Sequence, residues 1–284
     1  MPLTPAEIID SFPSLRLTIE AHGLLAKKAL GQNFLLDRNI TDKIIRLSLA
    51  RQNLADYSGA SVYEIGPGPG GLTRSVLACA PDKLTVIEMD DRCIAIMEEL
   101  RERFGSRMEI INGDALRTDL SRRDSAPRHI VSNLPYNISV PLLVSWLKQM
   151  PAYQSMTLMF QKEVADRITA PTGTKDYGRI SVLSQLICRI DRLFDLNPEC
   201  FVPAPKIWSS ILLFRPLSNI PDARQIAGIE KLAALAFGQR RKMIRQSLKS
   251  VPDLEEKCRI ADIPLTARAE QITPEQYLHL ASLL

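Results

Sequence analysis

Three groups of residues carry chemistry by type and spacing. The first is the turn Glu64-Ile65-Gly66-Pro67-Gly68-Pro69-Gly70-Gly71-Leu72-Thr73. Glycines let the chain turn tightly and let a ligand approach the backbone. The second is a pair of acids. Glu88 lies 88 − 68 = 20 residues beyond Gly68, and Asp114 sits in Asn112-Gly113-Asp114-Ala115. A carboxylate at the first position accepts hydrogen bonds from ribose hydroxyls. One at the second can accept from an adenine amino group. The third group is Ser132-Asn133-Leu134-Pro135-Tyr136-Asn137. The Asn133 side-chain oxygen and the Leu134 carbonyl can both accept N–H bonds from an exocyclic amine on a planar base. That arrangement leaves the nitrogen lone pair available for attack. Pro135 stiffens the turn. Tyr136 can stack on the base, a contact worth about 1–3 kcal/mol. No deprotonating histidine or lysine is required, because a methylated amine loses its proton easily.

Glycines at 66, 68 and 71 also satisfy the G-x-G-x-x-G spacing of a dinucleotide-binding turn, so spacing alone admits a nicotinamide cofactor. Pro67 and Pro69 count against it, since they remove amide donors from the loop that would cradle a pyrophosphate. Such a cofactor would also leave Asn133 to Tyr136 without a role.

The elements that must position these residues are legible from hydrophobic periodicity. Strands are predicted over 62–65, 84–87, 108–111, 129–131 and 156–160, and helices over 72–78, 92–104 and 141–147, with Ser139 as N-cap of the last. This alternation is the signature of a parallel sheet covered by helices on both faces. The glycine turn, both acids and Asn133 then fall at carboxyl ends of strands, where such sheets bind ligands. Helical spacing over 4–26 and 37–50 precedes the core. Two more strands, 191–196 and 209–214, flank the proline-rich stretch Asn197 to Pro205, and residues 222–284 read as helical throughout. The expected division is 1–216, a catalytic domain with an N-terminal helical extension, and 217–284, a helical domain.

Composition sets outer bounds. The chain has 284 residues, 45% of them hydrophobic and 24% charged, with net charge 36 − 32 = +4. This is the make-up of a globular protein of one large domain, or one large and one small, and it excludes disorder and fibrous repeats. No stretch reaches the 18 apolar residues of a membrane span. The N-terminus has neither a secretory nor a transit pattern, so a cytoplasmic location is expected. Five scattered cysteines and three isolated histidines predict neither a disulfide framework nor a metal site. One segment stands out by charge. Arg240, Arg241, Lys242, Arg245 and Lys249 occur with no acid between Phe237 and Lys249. At helical spacing Arg241, Arg245 and Lys249 share a face, a stripe suited to phosphates. Lys27 and Lys28 are expected to add a second contact.

Further motifs occur in order: Leu30-Gly31-Gln32-Asn33-Phe34-Leu35, Phe160-Gln161-Lys162-Glu163-Val164-Ala165, Tyr177-Gly178-Arg179, Phe201-Val202-Pro203-Ala204-Pro205-Lys206 and Phe237-Gly238-Gln239-Arg240-Arg241-Lys242. With the three groups above, this set resembles the bacterial small-subunit (16S) ribosomal RNA adenine dimethyltransferase family over roughly residues 24–284. The resemblance implies an α/β fold: a Rossmann-like class I methyltransferase core with a seven-stranded mixed sheet, and a small all-helical C-terminal domain. It implies S-adenosylmethionine as cofactor, held by Asn33, Leu35, Gly66, Gly68, Glu88, Asp114 and Asn133. Leu134, Pro135 and Tyr136 would form the target-base wall, and Phe201 would stack on the opposite face of the adenine. The substrate implied is a pair of adjacent adenines near the 3′ end of small-subunit rRNA, in a precursor 30S particle. The enzyme is expected to be a monomer away from membranes, with no metal. Residues 1–23 match no motif of the family. Trp208 stands where a small or acidic residue is expected.

Three other readings compete. One is a methyltransferase of the same architecture acting on large-subunit rRNA. Another is a non-catalytic binding protein on the same fold, against which Asn133 and Tyr136 argue. The third is a nicotinamide oxidoreductase.

Overall fold

The core strands are apolar runs too short for helices and rich in β-branched residues. Ser61–Ile65 is buried along its whole length, as expected of a parallel strand covered on both faces. In the computed structural model, residues 3–24, 33–124 and 127–284 are described. Helices α1 (Pro5–Asp10) and α2 (Leu15–Ala21) come first, followed by strand β1 (Phe34–Leu35) and α3 (Arg38–Gln52). The core alternates β2 (Ser61–Ile65), α4 (Gly71–Ala78), β3 (Lys83–Glu88), α5 (Asp91–Phe104), β4 (Met108–Asn112), β5 (Arg128–Asn133), α6 (Tyr136–Lys148) and β6 (Ser155–Gln161). After α7 (Lys162–Ile168) and α8 (Arg179–Ile187) come β7 (Cys188–Leu196), β8 (Phe201–Val202) and β9 (Ser209–Pro216). Helices α9 (Ala223–Gly238), α10 (Ile244–Ser247), α11 (Leu254–Ile260) and α12 (Pro274–Ser282) complete the chain.

Among the described residues, seven strands form one sheet in the order β4-β3-β2-β5-β6-β9-β7. Pairings β2–β3, β3–β4, β2–β5 and β5–β6 are parallel, and β6–β9 is antiparallel. This is the expected α/β core with a mixed seven-stranded sheet. The chain winds from β2 outward to β4, then returns to β5 and winds the other way. The gap between the carboxyl ends of β2 and β5 is therefore a topological switch point, where open α/β sheets bind ligands. β1 and β8 form a separate antiparallel pair, Phe34 opposite Val202 and Leu35 opposite Phe201.

Two compact units divide the chain. The first comprises residues 1–143, 152–162 and 191–214; the second comprises 144–151, 163–190 and 215–284. In the first unit α1 and α2 are docked on α4. The Arg74 guanidinium donates to the Pro13 carbonyl at 2.6 Å and to the Thr18 hydroxyl at 3.1 Å, with its carbon over the Phe12 ring. Two buried polar pairs lie inside this core: Ser48 with Thr157 at 2.6 Å, and His129 Nδ1 with Ser155 Oγ at 2.8 Å. In the second unit, Tyr177, Leu186, Ile229, Leu232, Ile244 and Tyr277 belong to one apolar cluster, built by α8, α9, α10 and α12. The Tyr177 hydroxyl donates to the Ile272 carbonyl at 3.0 Å.

Two local expectations are corrected. The helix after β5 starts at Tyr136, not Pro141, and contains that proline. Ser139 is therefore not its N-cap, and its hydroxyl donates back to the Tyr136 carbonyl at 3.0 Å. Residues 222–284 form several short helices joined by turns rather than a continuous helical run. No described helix is long and apolar enough to cross a membrane.

Candidate active site

A cavity of about 740 Å³ lies at the carboxyl ends of the parallel strands. Asn33, Leu35, Gly66, Gly68, Glu88, Asp114 and Asn133 all line it, as do Leu134, Pro135 and Tyr136. The fold thus gathers ten of the eleven residues expected to hold cofactor or target base.

The glycine turn is shaped by backbone needs. Gly66 and Gly68 adopt φ +64° and +55°, the left-handed region that side chains disfavour. Gly71 answers a different need. A Cβ there would stand 2.4 Å from the Leu35 carbonyl oxygen, so only glycine lets the start of α4 lie against β1. The Gly66 amide donates to the Ile87 carbonyl at 2.9 Å, which ties the turn to the end of β3.

Glu88 is held by three backbone amides. Its Oε1 accepts from Met89 at 2.8 Å and Asp90 at 3.0 Å, and its Oε2 from Gly68 at 3.3 Å. A carboxylate has about four acceptor sites, so one oriented site, on Oε2, remains for a ribose hydroxyl. Asp114 is steadied in the same way, its Oδ1 accepting from the Leu116 amide at 2.9 Å. Met89 and Leu116 line the cavity beside these acids and are exposed. They offer apolar surface to a flat ring.

The sequence places Glu64 in the glycine motif and not among the expected site residues. It is 1% exposed, lines the cavity, and its Oε2 has no hydrogen-bond partner. Burial pushes its carboxyl up to about 8; the nearby Glu88 charge adds to this and a hydrogen bond from Thr73 opposes it. A buried, unpartnered carboxyl in a cavity wall awaits a donor or a cation. Acids aligned along the cavity therefore fit a ligand that carries positive charge, a ribose diol and an adenine. The signal for Glu64 was its place at the end of an otherwise apolar strand. For Met89 and Leu116 it was an apolar residue close behind each acid.

The residues expected to form the target-base wall lie at the end of β5 and the start of α6. The Ser132 hydroxyl donates to the Ile65 carbonyl at 2.7 Å, fixing the end of β5 to the end of β2. Asn133 Nδ2 donates to the Asn33 carbonyl at 3.4 Å, which orients the amide so that Oδ1 serves as the acceptor. The Tyr136 hydroxyl lies 2.7 Å from Ser209 Oγ. Burial raises the Tyr136 phenol pKa, so the ring stays neutral.

Phe201 is the residue the fold does not bring to the cavity. It is 2% exposed and belongs to the apolar core cluster, its backbone paired with Leu35. In this structure its ring is core packing behind β1, not an open stacking face.

The basic segment also differs from expectation. Residues 239–243 form a turn between α9 and α10, so Arg241, Arg245 and Lys249 do not lie on one continuous helix. Arg241, Lys242, Arg245 and Lys249 are exposed. Arg240 is tied down, donating to the Thr174 carbonyl at 3.1 Å with its Nε 3.5 Å from Glu270. Lys27 and Lys28 lie outside the described residues. No cluster of three metal-ligating side chains occurs among the described residues.

This sheet order, with a glycine turn, ribose-type acid and Asn-Leu-Pro-Tyr rim at the switch point, defines a class I S-adenosylmethionine-dependent methyltransferase. The family model "Ribosomal RNA adenine dimethylase" matches residues 23–284, and the chain belongs to that family. It is 44% identical over 272 residues to Ribosomal RNA small subunit methyltransferase A of Rhodospirillum rubrum, covering 96% of this chain and 92% of that one. Its identity to the protein of the same description from Allorhizobium ampelinum is 45% over 280 residues, covering 97% and 99%. Among solved structures, a 23S rRNA methyltransferase, ErmE, aligns with TM-score 0.64 and 25% identity over 88% of this chain and 98% of that one. A dimethyladenosine transferase from Plasmodium falciparum shares the fold, with TM-score 0.68 and 24% identity over 86% and 94%.

Proposed function

We propose that this chain transfers methyl groups from S-adenosylmethionine to N6 of two adjacent adenines near the 3′ end of small-subunit rRNA. The products are N6,N6-dimethyladenosines, made on a precursor 30S particle by a cytoplasmic monomer. The observation that carries this reading is the placement of Asn133. The Ser132–Ile65 bond brings it to the cavity rim, and its amide is oriented by Asn33. The curated relatives at 44–45% identity support the small subunit over the large.

Bound in the cavity, S-adenosylmethionine supplies an electrophilic methyl group on a sulfonium. Glu88 and Asp114 accept from its hydroxyl and amino groups, and Glu64 adds acceptor or negative character in the wall. The target adenine is unstacked from its strand and laid against Tyr136. Asn133 Oδ1 and the Leu134 carbonyl accept the N6 hydrogens and aim the nitrogen lone pair at the cavity. Attack of that nitrogen from about 3 Å would form the N–CH3 bond as the S–CH3 bond breaks, the sulfur leaving as a neutral thioether. Among the described residues no histidine or lysine lines the cavity, and the proton lost from N6 passes to solvent. Catalysis rests on positioning and on the removal of a charge, not on general-base chemistry. In the second unit Arg241, Lys242, Arg245 and Lys249 neutralise RNA phosphates.

The test is methyl transfer from labelled S-adenosylmethionine to unmodified small and large ribosomal subunits in parallel. Label recovered as N6,N6-dimethyladenine in small-subunit RNA alone is the expected result. Label in the large subunit would move the chain to the other rRNA, and label in neither would refute the reading.

A further inference from the structure

One exposed patch has no part in the mechanism above. Val202 at the end of β8, and Ile207 and Trp208 in the segment joining β8 to β9, expose apolar side chains, with Trp208 47% exposed. The chain has two tryptophans, and the other, Trp146, is 3% exposed. The segment is anchored. The Trp208 carbonyl accepts from the Lys162 amide at 2.8 Å, and the next residue, Ser209, opens β9 opposite Gln161. That Ser209 is the residue whose hydroxyl lies 2.7 Å from Tyr136. A single peptide bond therefore separates Trp208 from the side chain that holds the base wall. Gln161 ends β6, so Trp208 stands on the same carboxyl-end rim as Asn133. Side chains alternate across a strand, so Trp208 falls on the other side of β9 from Ser209.

Charge narrows the occupant. From Cys200 to Ser210 the chain carries Lys206, which is exposed, and no acid. An exposed aromatic beside a lone cation is the minimal unit that binds single-stranded nucleic acid, by stacking plus phosphate neutralisation. Three side chains are too small a patch for a stable protein interface. We propose that Trp208 is a stacking platform for the nucleobase adjoining the target adenine, with Lys206 on the phosphate near it. The proposal rests on the methyltransferase reading. An extended strand crossing the rim puts one base into the cavity beside Tyr136. Its neighbour falls on the far side of β9, where Trp208 is the available ring. Trp208 then sets RNA affinity and the choice of single-stranded flank without touching the transferred methyl.

The tryptophan inventory provides the readout. Full-length protein is titrated with a single-stranded RNA oligonucleotide containing two adjacent adenines, and with its duplex, while tryptophan emission is followed. Emission is expected to fall with the single strand and not with the duplex. Trp208→Phe keeps the affinity. Trp208→Ala weakens binding and raises KM for unmodified small subunits roughly tenfold, with kcat and S-adenosylmethionine affinity unchanged and Trp146 emission reporting an intact core. Wild-type KM in Trp208→Ala, or emission unmoved at RNA saturation, overturns the proposal. So does emission that changes with protein concentration alone, which would mark a second copy as the occupant. Failure of the wild type to methylate either subunit would instead overturn the activity reading on which this one rests.

Discussion

The cavity rim and the basic segment 239–249 obey different rules. At the rim, each functional residue sits at the end of a strand or in the turn that follows it, so the sheet register sets its position. Ser132 bonds to Ile65, Gly66 to Ile87 and Gly113 to Glu88, each link joining neighbouring strand ends. The basic segment lies outside the sheet, its backbone tied to residues 265–268 by the Ile244 amide on the Ala267 carbonyl at 2.8 Å and the Arg245 amide on the Leu265 carbonyl at 3.1 Å. The chain turns between α9 and α10, and the cations differ by what ties them: Arg240 is held by Thr174 and Glu270, while Arg241, Lys242, Arg245 and Lys249 face solvent. Under the proposed function, geometry carries the chemistry at the rim and charge carries RNA binding in the helical unit. Geometry tolerates little substitution; charge tolerates much.

Substitutions sharpen this contrast. The largest effect is expected at Asn133. Asn133→Ala should lower turnover about 10²–10³-fold, the scale seen when one positioned catalytic hydrogen-bonding group is removed. The check is single-turnover methylation, with S-adenosylmethionine binding retained. Gly71→Ala should cost about 1–3 kcal/mol of stability, because its Cβ would meet the backbone of Leu35 rather than a yielding side chain. A denaturant melt would show it as a lower midpoint.

Glu64 gives a pH-dependent test. Its ordinary value is 4.5 and the folded protein raises it to about 8, so the native state binds this proton more tightly than the unfolded chain. Unfolding releases the proton between those values, and stability falls as pH rises across that window. Glu64→Gln removes the effect. Its melting temperature should match wild type near pH 4.5, exceed it increasingly toward pH 8, and hold a constant lead above. A lead that does not change with pH would show that Glu64 is ionised in the free protein.

The smallest effects belong to the basic segment. Replacing Arg241, Lys242, Arg245 or Lys249 by Gln should lower the slope of log K against log salt by about 0.7 per lost single-strand phosphate contact. Arg240→Gln should leave that slope unchanged and cost about 0–1 kcal/mol of stability, as for a partly exposed ion pair. A slope change at Arg240 equal to that at Arg241 would erase the distinction between strut and phosphate contact.

Legibility followed the same divide. The strands and the helices between them read off the sequence because apolar periodicity and turn residues act locally, and the motifs at strand ends inherited that clarity. The start of α6 did not, since a proline within the helix reads as a boundary when the surrounding packing is unknown. The burial of Phe201, expected to stack on the base, is illegible for a related reason: whether an aromatic faces a cavity or a core depends on the β1–β8 pairing, which two-residue strands do not announce. Glu64 looked like motif background because its meaning comes from burial. In the basic segment the sequence carried the charges but not the turn that breaks the helical face, nor the tie from Arg240 to Thr174.

The central claim is that the rim does the chemistry and the exposed cations hold the RNA. The most direct test compares Asn133→Ala with the combined Arg241, Lys242, Arg245 and Lys249 to Gln variant in steady-state methylation of unmodified small subunits. The first is expected to lose kcat with KM for RNA nearly unchanged, while the second raises KM and recovers wild-type kcat at saturating RNA. A lost kcat in the charge variant, or a normal kcat in Asn133→Ala, would contradict that claim.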